Sequence, residues 1–107
     1  MLVSLEGFDP KGRKRIQDGN IDITVLKQDE NYFAFNSKCP HKGGPLFLCK
    51  PLAGERIMCP SHHIIFNIRD GEVLENPLPE SMGDYALCPN LKIYEVVLDQ
   101  NGLNIIV

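Results

Sequence analysis

Two short stretches constrain this chain more than anything else in it. They are Cys39-Pro40-His41-Lys42-Gly43-Gly44-Pro45-Leu46 and Cys59-Pro60-Ser61-His62-His63. Each sets a sulfur donor beside an imidazole donor, as C-x-H in the first and C-x-x-H in the second. The sequence has three histidines, all of them here, together with two of its four cysteines. Histidines scattered at random over 107 positions would rarely gather this way. The remaining chain therefore reads as scaffold for what these residues hold.

Two thiolates and two imidazoles suit a tetrahedral structural zinc or an iron–sulfur centre. The usual zinc spacing pairs like with like, C-x-x-C in one arm and H-x3–5-H in the other. Here each arm carries one of each. Both cysteines can then sit on one metal of a two-metal cluster and both histidines on the other, with each loop spanning the cluster.

With both motifs in hand, the sequence resembles the Rieske family, whose [2Fe–2S] centre has two His in place of two Cys on one iron. Cys39, His41 and Gly43 match the family's C-x-H-x-G box, and Cys59 and His62 match its C-x-x-H box. Gly44-Pro45-Leu46, Phe66, Asp70-Gly71 and Pro77-Leu78-Pro79 extend the likeness, the last as a proline-rich third loop. The likeness is good over residues 30–80; the flanks follow only by strand pattern. It implies a [2Fe–2S] cluster with Cys39 and Cys59 on one iron and His41 and His62 on the other. It also implies that the free ring nitrogens of both histidines face solvent.

The strand pattern agrees with an all-β fold. Ile21, Ile23 and Val25 alternate with polar neighbours, as in a half-buried strand. Tyr32-Phe33-Ala34-Phe35, Arg56-Ile57-Met58, residues 64–68, Glu72-Val73-Leu74, residues 93–98 and 103–107 read as further strands, and Met1 to Leu5 as a first one. Asp18-Gly19-Asn20, Asp29-Glu30-Asn31, Asp70-Gly71 and Asn101-Gly102 supply turns. Residues 46–54 and 75–90 read as loops, and no helical period runs over ten residues. The basic run Lys11-Gly12-Arg13-Lys14-Arg15 reads as a solvated loop, with a docking patch as the alternative. In the Rieske arrangement residues 1–36 and 90–107 form a base of antiparallel strands and residues 37–89 a cluster-binding subdomain, all within one domain.

Departures from the family pattern point to a subtype. High-potential respiratory members join their two loops by a disulfide between an extra cysteine in each. Gly44 and Ser61 stand at the corresponding positions, so the chain resembles the low-potential, ferredoxin-type branch. A potential in the lower part of the Rieske range, about −150 to +300 mV, is expected. Gly43 and Gly44 are free to turn backbone N–H groups toward cluster sulfur. His63 stands where the family often has Gly, and reads as a surface bystander, a hydrogen-bonding neighbour of the cluster, or a ligand in place of His62; the spacing favours His62. Cys49 and Cys88 read as free or buried thiols, with a bridge between them as the alternative. Leu46, Phe47 and Leu48 are either core or an apolar collar. Lys38, Lys42 and Lys50 could steer an acidic partner.

A formal net charge of −3 argues against nucleic acid as the main partner. Four cysteines are too few for a disulfide-built scaffold. No stretch approaches the ~20 apolar residues of a membrane span, and no leader pattern opens the chain; a soluble, cytoplasmic protein is expected. No nucleophile–base set or phosphate-binding glycine loop suggests independent catalysis. The resemblance implies a one-electron carrier between a flavin reductase and an oxygenase or other redox enzyme. An electron-transfer subunit of a larger enzyme, such as the small subunit of an assimilatory nitrite reductase, and a non-redox module holding structural zinc are the competing readings.

Overall fold

A computed structural model of the chain describes all of residues 1–107. Its strands are β1 (Leu2–Val3), β2 (Arg13–Asp18), β3 (Ile21–Gln28), β4 (Asn31–Asn36), β5 (Lys50–Leu52), β6 (Arg56–Met58), β7 (Ile65–Asn67), β8 (Val73–Glu75), β9 (Ile93–Asp99) and β10 (Gly102–Ile106). Helical structure is confined to two short 3-10 segments, Leu46–Leu48 and Glu80–Ala86. The class is all-β, as the alternating pattern requires. No helix is long and apolar enough to cross a membrane.

The strands form two antiparallel sheets. One has six strands in the order β1-β10-β9-β4-β3-β2, and the other has four in the order β5-β6-β7-β8. The turn signals at 18–20, 29–31, 70–71 and 101–102 each join neighbouring strands. Gly71 shows why its turn needs glycine. Its φ is +82°, and a Cβ there would stand 2.0 Å from the Leu91 carbonyl oxygen. The Leu91 N–H donates to the Gly71 carbonyl at 2.8 Å, tying the β7–β8 turn to the approach of β9.

The alternation in β3 predicts burial on one face; the structure buries both. Ile23 and Val25 enter a core with Val3, Ala34, Leu103 and Ile105. Leu26 enters a second core with Phe33, Phe35, Leu46, Ile57, Ile64 and Phe66, which also takes in Cys39 and Cys59. Thr24, on that same side, is buried with its hydroxyl 2.8 Å from that of Ser37. Each fully buried aliphatic or aromatic side chain contributes about 1.5–3 kcal/mol relative to exposure. The second core is thus the mechanical link between the large sheet and the two cysteine-bearing loops.

Four local expectations are corrected. The basic run is no solvated loop: Arg13–Asp18 is strand β2, paired along its length with β3. Residues 50–52, read as loop, form β5 against β6. Residues 80–86, also read as loop, make a 3-10 segment with a break at Gly83. The first strand is shorter than expected, Leu2–Val3.

Candidate metal centre

The two motif loops are built on the same pair of hydrogen bonds. In the first, the Cys39 N–H donates to the Gly44 carbonyl at 2.8 Å and the Gly43 N–H to the Cys39 carbonyl at 3.0 Å. In the second, the Cys59 N–H donates to the Ile64 carbonyl and the His63 N–H to the Cys59 carbonyl, both at 2.9 Å. Each frame needs a left-handed residue four places after its cysteine. Gly43 fills it in the first loop with φ +69°, and His63 in the second with φ +60°. His63 is therefore a frame residue with an exposed side chain.

These frames pair the four candidate donors by type, Cys39 with Cys59 and His41 with His62. Cys39, Cys59 and His41 are buried; His62 is half-buried. The imidazoles meet edge to face with centroids 4.6 Å apart, and His41 Nδ1 lies 3.2 Å from His62 Nδ1. Two imidazole nitrogens on one tetrahedral metal, each about 2.1 Å from it, would stand roughly 3.4 Å apart. The observed spacing fits a shared metal. The thiols also interact with each other. That hydrogen-bonding interaction is the main cause holding Cys39 well above the ordinary thiol range, and burial adds to it. The same interaction draws Cys59 down toward thiolate, helped by the backbone N–H groups of Ser61 and His62 and by the Ser61 hydroxyl. The His41 N–H gives Cys39 similar help. Buried sulfurs supplied with N–H donors suit a cluster held by thiolates. These donors come from His41, Ser61 and His62, while the Gly43 N–H serves the Cys39 carbonyl instead.

Gly44 matters for its missing Cβ. A Cβ there would stand 2.8 Å from Ser61 Oγ, 3.3 Å from Ser61 Cβ and 3.4 Å from Cys59 Sγ. Gly44 and Ser61 thus face each other across the loops, with glycine leaving room beside the sulfur.

One expectation about the histidines is corrected: their outer nitrogens do not face open solvent. The backbone carbonyl of Tyr85 accepts a hydrogen bond from His41 Nε2. The Tyr85 hydroxyl lies 2.8 Å from His62 Nε2. Tyr85 stands edge-on to both rings, with centroids 5.2 and 5.5 Å away. It belongs to the 3-10 segment after the proline-rich loop. The sequence carried no signal for it, since half of its contact is made by a backbone carbonyl in a segment without periodicity.

The neighbouring residues sort themselves. None of the four cysteines forms a disulfide. Burial pushes Cys49 up to about 12 and raises Cys88. Leu46 is core, Phe47 half-buried and Leu48 exposed. The Arg15 guanidinium lies 3.8 Å from the Phe47 ring centroid, and Arg13 Nη1 donates to the Cys49 carbonyl at 2.9 Å. Strand β2 thereby braces the segment that follows the first loop. Lys38, Lys42 and Lys50 are exposed.

Among solved structures, the fold is similar to the ferredoxin of carbazole 1,9a-dioxygenase from Nocardioides aromaticivorans IC177, with TM-score 0.77, 19% identity and coverage of 97% of this chain and 92% of that one. The Sphingomonas yanoikuyae B1 ferredoxin gives TM-score 0.77 at 19% identity, over 97% of this chain and 93% of the other. A chain from the complex of reduced oxygenase and oxidized ferredoxin in carbazole 1,9a-dioxygenase gives TM-score 0.78 at 20% identity, over 99% and 100%. Among curated proteins, apoptosis-inducing factor 3 of Homo sapiens and of Mus musculus are each 31% identical over 65 residues, 61% of this chain. That stretch is 11% of either relative, so the chain spans only a small part of their length. The Rieske [2Fe-2S] domain family matches residues 3–95. The chain belongs to the Rieske [2Fe-2S] domain family, and its cofactor is a [2Fe–2S] cluster.

Proposed function

We propose that this protein is a one-electron carrier of the Rieske ferredoxin type. Cys39 and Cys59 hold one iron as thiolates, and His41 and His62 hold the other through Nδ1. Residues 37–89 act as the cluster-binding part, and residues 1–36 and 90–107 as its base. The observation that carries this reading is the pairing of donors by type, thiol with thiol and imidazole with imidazole at 3.2 Å. A structural zinc would draw all four donors around one ion.

When bound, the cluster supplies reversible one-electron chemistry at a potential raised by its imidazole ligands. The chain's own part is to bury the sulfurs, supply N–H donors to them and keep the histidine edge near the surface. The donor is a flavin reductase and the acceptor an oxygenase or another redox enzyme. Similarity to a ferredoxin seen with an oxygenase supports this choice, and exposed Lys38, Lys42 and Lys50 suit an acidic partner.

Anaerobic purification with iron, zinc and acid-labile sulfide analysis tests the reading. Two irons and two sulfides per chain are expected, with a potential in the lower part of the range of about −150 to +300 mV. One zinc and no sulfide would overturn it. A second reading is favoured by the curated relatives, in which the matched stretch is a small part of a long chain. Here the protein is the electron-transfer component of a larger enzyme, such as a nitrite reductase; stable copurification with a large subunit separates the two.

A further inference from the structure

We propose that Tyr85 is a positioning residue for both histidines, holding each imidazole with its hydrogen on the outer nitrogen and its lone pair on the inner one. This rests on the ligand reading above. A backbone carbonyl only accepts, so the bond between His41 Nε2 and the Tyr85 carbonyl places the ring hydrogen on Nε2. His41 Nδ1 is left as a bare lone pair, and it faces His62 Nδ1 at 3.2 Å.

His62 is held from the other end of the same residue. The Tyr85 hydroxyl lies 2.8 Å from His62 Nε2. A hydroxyl donates or accepts as its partner requires; with His62 Nδ1 as the ligand atom the ring hydrogen sits on Nε2, and the Tyr85 hydroxyl accepts it. Metal-bound histidines commonly donate their second ring N–H to a carbonyl or other acceptor, which fixes tautomer and ring orientation. Here a single residue does so for both rings, through its main chain for one and its side chain for the other.

The surroundings hold Tyr85 to this task. The Asn76 side-chain amide donates to the Ala86 carbonyl at 2.6 Å, anchoring the segment beside it. The Lys42 ammonium, from the first loop, lies 5.5 Å from the Tyr85 ring centroid. The result is asymmetric cover: His41 is 1% exposed while Tyr85 itself is 42% exposed. Tyr85, and not His41, is what a partner approaching this edge would touch.

The test uses cluster-loaded wild type, Tyr85→Phe and Tyr85→Ala. Iron and sulfide content, reduction potential, and exchange of the imidazole N–H protons in D2O are followed, the last by proton ENDOR of the reduced cluster. Tyr85→Phe keeps the ring and the main-chain carbonyl and removes only the hydroxyl. It should load normally and raise the potential, because the oxygen that draws on the His62 N–H is gone. It should also speed exchange of one imidazole proton about tenfold, the scale of one lost hydrogen bond, and leave the other alone. Tyr85→Ala keeps the main-chain carbonyl too but removes the ring that stands over both imidazoles, so it should speed exchange at His62 most and at His41 to a lesser extent. A loaded Tyr85→Phe protein with wild-type potential and wild-type exchange at both histidines would overturn the role of Tyr85 alone. A His62→Ala protein with an unchanged cluster spectrum would overturn the ligand reading, and this proposal with it.

Discussion

The two motif loops share one backbone frame and treat their histidines differently. In each, the cysteine N–H reaches the carbonyl five residues on, and the cysteine carbonyl accepts from the residue four on. Within that frame the first loop places its histidine two residues after the cysteine and buries it. The second places it three residues after and leaves it half-exposed. The first loop is also braced from outside, through Arg13 on the Cys49 carbonyl and Arg15 on Phe47. The second sits between β6 and β7 of its own small sheet. A repeated frame thus buries both cysteines but sets the imidazoles differently, one built into the core and one near the surface.

The sharpest way to break the comparison is to remove the proposed ligands one at a time. Cys39→Ser, Cys59→Ser, His41→Ala and His62→Ala should each lose the normal cluster spectrum. Cluster binding is coupled to folding, so each should also lower the melting temperature of anaerobically prepared protein. The histidines should then separate. His41→Ala opens a hole in a buried site and should cost about 2–3 kcal/mol even in metal-free protein. His62→Ala, half-exposed, should cost clearly less in the same urea titration. Equal losses would mean that burial does not distinguish the loops.

Much of this arrangement was legible before any coordinates. The four candidate donors stand out by residue type and spacing, and most strands by alternation. The two strands that went unread, β2 and β5, are edge strands of their sheets. An edge strand need not alternate, and β2 uses Arg13, Lys14 and Arg15 to grip neighbours instead of burying apolar side chains. In β5, Pro51 reads as a loop residue, yet an edge strand tolerates proline because one side of its backbone is unpaired. Tyr85 was unreadable for another reason. Its carbonyl contact with His41 would be open to any residue at that position.

The contact between the loops offers the next test. Gly44→Ala forces a methyl group to within 3.3 Å of Ser61 Cβ and 3.4 Å of Cys59 Sγ. Overpacking of this kind costs about 1–3 kcal/mol, and the loss should appear as a lower urea midpoint, partly restored by Ser61→Gly. The same geometry sharpens the comparison when used the other way. Gly44→Cys with Ser61→Cys would set two Cβ atoms about 3.5–4.5 Å apart after a small shift, the span a disulfide needs. The bridged protein should hold its cluster and show a higher potential than wild type. An unchanged potential would show that linking the loops is not what tunes the cluster.

The brace on the first loop can be loosened through Arg13. Arg13→Met leaves the Cys49 carbonyl without its partner at 2.9 Å, which should cost about 1 kcal/mol. It also frees Asp9. Burial alone would raise that carboxyl, but the backbone and side-chain hydrogen bonds and the charge of Arg13 outweigh it and hold it below the usual range. A carboxyl depressed in the folded state stabilises above its unfolded pKa of about 3.9 and loses that contribution as pH falls through its folded value. The gap between wild type and Arg13→Met should therefore be full at neutral pH and narrow in acid. Urea midpoints at several pH values check this, and amide exchange near Cys49 should quicken while that near His63 does not.

The smallest effect expected is at His63, and it bears most directly on the shared frame. Position 63 does in the second loop what Gly43 does in the first, with φ +60° against +69°. A side chain in that left-handed region costs about 1 kcal/mol, which glycine avoids. Glycine in turn loses more backbone freedom on folding, by roughly 0.5–1 kcal/mol. The two nearly cancel, so His63→Gly should keep the full cluster spectrum and change stability by only a few tenths of a kcal/mol. His63→Val should cost more, since a β-branched residue tolerates this conformation least. Visible absorption with paired urea titrations would decide it. Bleaching of His63→Gly would mean that His63 is a ligand and that the second loop is not a copy of the first.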